Sequence, residues 1–260
     1  IDVDAAEVNK NVMCKYSIEG DAKVVLQRLN EKLTQQDHEP WMRHIREMKS
    51  RYPMTYNHEV LTGPGVVESI YKATDGDAII CTEVGQNQMW AAQFYKYKEP
   101  RQFISSGGLG TMGYGLPGAI GAQIGNPGVP VISISGDGGM QMNIQELATA
   151  VLEELPIINC IFNNTYLGMV RQWQKLFYGK RYSMTNLRSG ALSRRTNGEE
   201  YPKYTPDFIK LAESYGAKGI RVTKREEIAA AFEEACKSTK VPTVIEFIID
   251  PEEMVYPMIK

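Results

Sequence analysis

The sequence lacks the features that would tie it to an extreme environment or to several common chemistries. Its four cysteines, Cys14, Cys81, Cys160 and Cys236, are scattered, with no CxxC pair, which excludes a disulfide framework and a zinc ribbon. Buried, reduced thiols in a cytoplasmic protein are the expectation. The three histidines, His38, His44 and His58, all lie early in the chain, so none is expected to be catalytic. No Ser/His/Asp set or P-loop is present. No apolar run approaches the roughly 20 residues of a membrane span, and no signal peptide is read. Charge of one sign is also missing. Lys and Arg total 29 against 31 Asp and Glu, with a pI near 6.0, so neither nucleic acid nor an anionic membrane is an expected partner.

What is present is a chain of 260 residues, long enough for a substantial core. It opens at Ile1 and stops at Lys260 just after a predicted strand, and reads as a piece of a longer polypeptide. Short strands are expected at 1–3 and 14–18, and helices at 21–36 and 39–52. The charged stretch around 35–56 reads as a connector. From residue 63 onward apolar runs alternate with helical periodicity: helix from Pro64, strand 77–82, strand 103–105, strand 129–135, helix to Pro156, strand 157–162, helix 207–215, strand 219–222, helix 226–237, strand 243–249. That alternation predicts an α/β fold, a mostly parallel, doubly wound sheet with helices on both faces. Residues 188–204 lack apolar periodicity and read as a mobile loop; within it Arg194 and Arg195 form a basic pair.

The organising stretch is 129–164. A β-branched strand runs into Gly136, Asp137, Gly138 and Gly139, where backbone must approach something closely. Asn143 reads as the N-cap of the next helix, with Glu146 completing a capping box. A second strand ends at Asn163 and Asn164. Strand, helix and strand bring Asp137 and Asn164 to neighbouring C-terminal strand ends, where open α/β sheets bind ligands. A carboxylate and a carboxamide oxygen beside glycine N–H groups suit Mg²⁺ carrying a diphosphate. The strand at 77–82 is expected to end in a polar loop over 83–88, which makes Gln86 and Asn87 ligand candidates by position. The GxGxxG at Gly108, Gly110 and Gly113 is not read as a dinucleotide site, because no acidic residue ends a strand about twenty positions on. Met112 in that loop could underlie a flat heterocycle or simply fill a gap. Leu167, Val170, Trp173 and Leu176 share a helical face, and Trp173 reads as core, with a pocket wall as the alternative.

GDG, 24 residues, then NN resembles the binding motif of thiamin-diphosphate (ThDP) enzymes. Beyond it, VGQNQMWAAQFY from Val84, SGGLGTMGYGLPGAIGAQIG from Ser106, GDGGMQMNIQEL from Gly136 and NNTYLGMVRQWQ from Asn163 resemble acetolactate synthase catalytic subunits. That resemblance implies decarboxylation of pyruvate and condensation with a second 2-keto acid, such as pyruvate or 2-ketobutyrate. It implies Mg²⁺ on Asp137, Asn164 and the Tyr166 carbonyl. Gln86, Asn87, Gly138, Gly139, Gly168 and Met169 would grip the diphosphate, and Gly110 and Met112 would lie along the cofactor rings. Met169, Val170 and Trp173 would line the substrate pocket. It further implies a homo-oligomer, a small regulatory subunit, and an activating glutamate in a domain outside this chain, so that no catalytic residue is expected here. Residues 1–36 would end an FAD-carrying domain, with Asp2 and Asp21 as FAD contacts, 37–62 would connect, and 63–260 would bind ThDP. Another ThDP enzyme, of the pyruvate oxidase or glyoxylate carboligase type, or a non-catalytic oligomerisation module are the alternatives. Asn87 departs from the family's usual histidine, and the 188–204 loop is longer than usual.

Overall fold

The computed structural model describes residues 1–187 and 205–258, so the predicted loop at 188–204 lies outside the described residues. The chain divides into two units, Ile1–Met54 and Thr55–Lys260. In the first, the strands expected at 1–3 and 14–18 reduce to one parallel bridge between Asp2 and Glu19. Helix α1 (Ala22–Asn30) is capped by Asp21, whose carboxylate accepts the Val24 N–H, and α2 (Glu39–Arg51) carries Pro40 in its first turn. None of this unit's residues is buried. Two short amphipathic helices cannot close a core of their own.

The second unit is an open sheet of six parallel strands in the order β2-β1-β3-β4-β6-β5. These are β1 (Ile79–Thr82), β2 (Phe103–Ser105), β3 (Val131–Gly136), β4 (Ile158–Asn163), β5 (Lys218–Val222) and β6 (Thr243–Ile248). The central strands are apolar on both faces because helices cover both. Helices α3 (Gly63–Ala73) and α4 (Gln86–Phe94) pack Val67, Ile70 and Trp90 with Ile80, Ile132 and Phe162 on one face. Helix α5 (Gly115–Gly125) sets Leu116 and Ile120 with Cys81 and Ile161 on the other. Short α6 (Asp137–Met140) and α7 (Leu147–Leu152) lead back from β3, α8 (Gly168–Phe177) follows β4, and α9 (Phe208–Ser214) and α10 (Ile228–Cys236) flank β5.

The helix expected after Asn143 is shorter than its periodicity suggested. Residues 144–146 form a 3-10 turn before α7, and Asn143 makes no cap hydrogen bond. Its Nδ2 instead donates to the Gly113 carbonyl at 2.8 Å, so a tertiary contact took the group that local sequence assigned to the helix end. Cys81 and Cys160 are buried and unpaired as expected, whereas Cys14 and Cys236, also unpaired, are exposed. Among the described residues no helix is long and apolar enough to cross a membrane.

Candidate cofactor site

Chain order reverses across β1: β2 lies on one side of it and β3 on the other. Open α/β sheets bind ligands outside the carboxyl ends of strands at such a switch point. A cavity of about 370 Å³ opens there. Its walls come from the segments that follow β1 (84–90), β3 (136–139), β4 (164–170) and β6, with Met112 reaching in from the glycine loop.

Asp137 begins α6 immediately after β3 and is 2 % exposed. Its Oδ1 accepts the Gly138 N–H at 2.9 Å and its Oδ2 the Thr165 N–H at 2.6 Å. Burial outweighs these hydrogen bonds and pushes its pKa up to about 7, since desolvation penalises a carboxylate with no cation opposite it. A Cβ on Gly138 would stand 2.9 Å from Leu167 Cδ2, within reach of Met112 Cε, and one on Gly139 would meet Glu83 Oε2 at 2.8 Å. Both glycines are buried at positions where a side chain would collide with its neighbours.

The turn after β4 is held from several directions. Thr165 has φ +63°, a left-handed conformation costly for a β-branched residue. Its N–H is shared between Asp137 Oδ2 and Asn163 Oδ1, while Asn164 Oδ1 accepts the Tyr166 N–H at 3.0 Å. Asn163 is tied in turn to the buried Glu246 on β6, whose other oxygen meets Arg221. Asp137 and Asn164 are thus joined through one turn and line one cavity, the juxtaposition that the spacing predicted.

Gln86 and Asn87 stand in the first turn of α4 rather than in a loop, which corrects the loop expected at 83–88. Gly85 precedes them with φ +131°, and it lets the chain turn from strand to helix at the cleft. Among the described residues the buried Asn87 Oδ1 has no hydrogen-bond partner, which is uncommon for a buried polar atom. Gly110 is not among the cavity-lining residues. It lies one layer out, with φ +74° and a notional Cβ 3.8 Å from Val84 Cγ1.

Helix α8 decides between the two readings of Trp173, against its periodicity. Its apolar Val170 and Trp173 are 46 % and 49 % exposed and line the cavity, while the polar Arg171 and Gln172 are buried. Trp173 is therefore wall, not core. The reason lies in the segment 250–258, which crosses behind α8: Arg171 donates to the Pro251 carbonyl and pairs with Glu252, and Gln172 hydrogen-bonds both backbone groups of Val255.

Sequence reasoning also missed Glu83. It ends β1 buried, with its oxygens accepting the Gly113 N–H at 2.6 Å and the Gly115 N–H at 3.0 Å. Burial raises its pKa against these bonds. A glutamate closing the apolar run DAIICT was the available signal, because charged side chains are seldom buried without partners.

Residues 83–247 match the family described as thiamine pyrophosphate enzyme, C-terminal TPP binding domain. The chain belongs to that family. It is 44 % identical to the acetolactate synthase large subunit of Corynebacterium glutamicum over 99 % of its length, and 44 % identical to a probable acetolactate synthase large subunit of Methanocaldococcus jannaschii over 97 %. With the acetolactate synthase isozyme 3 large subunit of Escherichia coli it shares 38 % over 99 %. The chain spans about two fifths of these curated relatives, 41 %, 42 % and 44 % of their lengths. The family match begins just after β1 and runs into β6, so every described cleft residue except Ile249 and Met258 falls inside it. None of the histidines lines the cleft.

Proposed function

We propose that this chain is the cofactor-binding part of an acetolactate synthase large subunit, with thiamine diphosphate held in the cleft through Mg²⁺. The observation that carries the reading is the placement of Asp137, Asn164 and the bare Gly138–Gly139 backbone around one cavity at the switch point. The residues fit the group. Among the described residues no basic side chain stands opposite Asp137, and the available ligand atoms are hard oxygens. Among the described residues no three His, Cys, Asp or Glu side chains converge, so a cation here needs oxygens from its ligand, as Mg²⁺ with a phosphate does.

In this reading Asp137, Asn164 and the Tyr166 carbonyl hold Mg²⁺. Gly138, Gly139, Gln86, Asn87, Gly168 and Met169 face the diphosphate, and Met112 supports the rings. When bound, thiamine diphosphate supplies an electron sink for decarboxylation of a 2-keto acid. The protein's share is position and exclusion of water. Met169, Val170 and Trp173 form an apolar wall that sizes the acceptor, pyruvate or 2-ketobutyrate. FAD, a small regulatory subunit, a homo-oligomer and a cytoplasmic location belong to the same reading of the parent enzyme, with residues 1–36 ending its FAD domain, Asp2 and Asp21 among the FAD contacts, and 37–62 connecting to the ThDP domain at 63–260.

Asp137 is the one carboxylate among the described cleft residues, and it is assigned to the cation. The resemblance to acetolactate synthases implies an activating glutamate in a domain outside this chain, so the 260-residue chain alone is expected to form no acetolactate. The test is product analysis of the full-length polypeptide with pyruvate alone and with 2-ketobutyrate competing, beside the 260-residue chain. Absence of acetohydroxyacid products from the full-length protein overturns the reading.

A further inference from the structure

Three carboxamides form a chain from the 250–258 segment to the candidate cation turn. Val255 donates its N–H to Gln172 Oε1 at 2.8 Å, and its carbonyl accepts from Gln172 Nε2 at 2.7 Å. Backbone N–H groups only donate and carbonyls only accept, so Val255 dictates which end of the Gln172 amide is oxygen. That oxygen also accepts from Gln86 Nε2 at 2.9 Å, and the Glu253 carbonyl accepts from the same nitrogen at 3.0 Å. Two acceptors thereby fix the Gln86 amide, and its Oε1 is left facing Asn164 Nδ2 at 3.3 Å. With its nitrogen taken by Gln86, Asn164 presents its oxygen on the Tyr166 side. The distinction matters because an amide oxygen can ligate a cation and an amide NH₂ cannot.

Packing supports the same chain. Gln172 is 2 % exposed, and no cleft atom needs it for contact, since it does not line the cavity. A Cβ on Gly168 would overlap Gln86 Oε1 and stand 2.7 Å from Asn164 Nδ2, so the glycine opening α8 makes room for the Gln86–Asn164 pair.

We propose that Gln172 is a positioning residue: clamped by Val255, it acts through Gln86 to hold the Asn164 carboxamide with its oxygen turned to the cation site. The proposal rests on the thiamine diphosphate and Mg²⁺ reading above. It couples the 250–258 segment to cation affinity without any contact between that segment and the cation.

The test is Mn²⁺ binding to the full-length protein with saturating thiamine diphosphate, read by electron paramagnetic resonance rather than by turnover. Gln172→Met keeps the side chain's length but removes both hydrogen-bonding ends. It is expected to raise the Mn²⁺ Kd about 10–100-fold, the range typical of groups that orient metal ligands. Gln172→Glu keeps an acceptor toward Gln86 and is expected to lose less. Val255→Pro, which deletes the dictating N–H, is expected to follow Gln172→Met, and it carries the test should Gln172→Met fail to fold. A wild-type Kd in either folded variant overturns the proposal. Asp137→Ala separates the two levels: if it abolishes Mn²⁺ binding while Gln172→Met does not alter it, the relay is wrong and the cofactor reading stands. If Asp137→Ala leaves the Kd unchanged, the cofactor reading falls and the relay with it.

Discussion

At the residue scale the cleft is governed by a buried charge and by absent side chains. Asp137 is held by two N–H groups yet remains short of countercharge. Asp137→Asn keeps its shape and removes the charge. Divalent cation affinity is expected to fall by more than about a hundredfold, beyond what supporting residues cost, as measured by calorimetric titration with Mg²⁺ and thiamine diphosphate. Gly138→Ala probes the opposite quantity. Its new methyl would press 2.9 Å from the end of Leu167, a side chain able to swing away, so stability is expected to change by less than about 1 kcal/mol. The methyl still occupies the cleft, and cofactor affinity is expected to drop on the order of tenfold or more. Equal losses of urea midpoint and of affinity would place Gly138 in the fold rather than in the site.

At the element scale, the loop carrying Met112 is anchored by Glu83 at the end of β1. Glu83→Leu strands two buried N–H groups, each worth about 1–3 kcal/mol, and relieves one desolvated carboxylate. A net destabilisation of about 2 kcal/mol is expected from urea unfolding. Cofactor affinity should fall with it as the glycine loop loosens. Helix α8 shows how an element's orientation can escape its own periodicity. Val170 and Trp173 form the stripe that normally faces a core, but the 250–258 segment offers carbonyls and a carboxylate that Arg171, Gln172 and Lys175 satisfy.

At the scale of the whole molecule, the 250–258 segment closes the second unit and gives stability a pH dependence. Burial, with Asp250 nearby, raises Glu253 from 4.5 to about 7, although its Oε2 accepts the Gly63 N–H at 3.0 Å. A carboxyl group with a raised folded pKa binds protons more readily folded than unfolded, so its ionisation destabilises. Stability is therefore expected to decline as pH rises from 4.5 through about 7. Glu253→Gln, which can still accept the Gly63 N–H, should flatten that decline in urea titrations at about pH 5 and pH 8. Glu252 acts in the opposite sense. Hydrogen bonds from Lys175 and Arg171 lower it to about 2, so its contribution is present above 4.5 and lost as pH falls toward 2.

The alternation of apolar strands and helical periods was enough to read the parallel sheet, because each βα unit buries its own faces locally. Strand spacing was enough to bring Asp137 and Asn164 to one end, and the GDG…NN pattern to suggest what they hold. Three things were decided only by tertiary structure. Asn143 left its helix end for the Gly113 carbonyl. Gly110 fell outside the cleft that its loop borders. Gln172, Glu83 and Asn163 gained their roles from partners 83, 30 and 83 positions away: Val255, Gly113 and Glu246. The sequence determined which residues meet at the cleft because local spacing places strand ends. It could not determine what orients them, because hydrogen bonds between distant segments obey geometry rather than period.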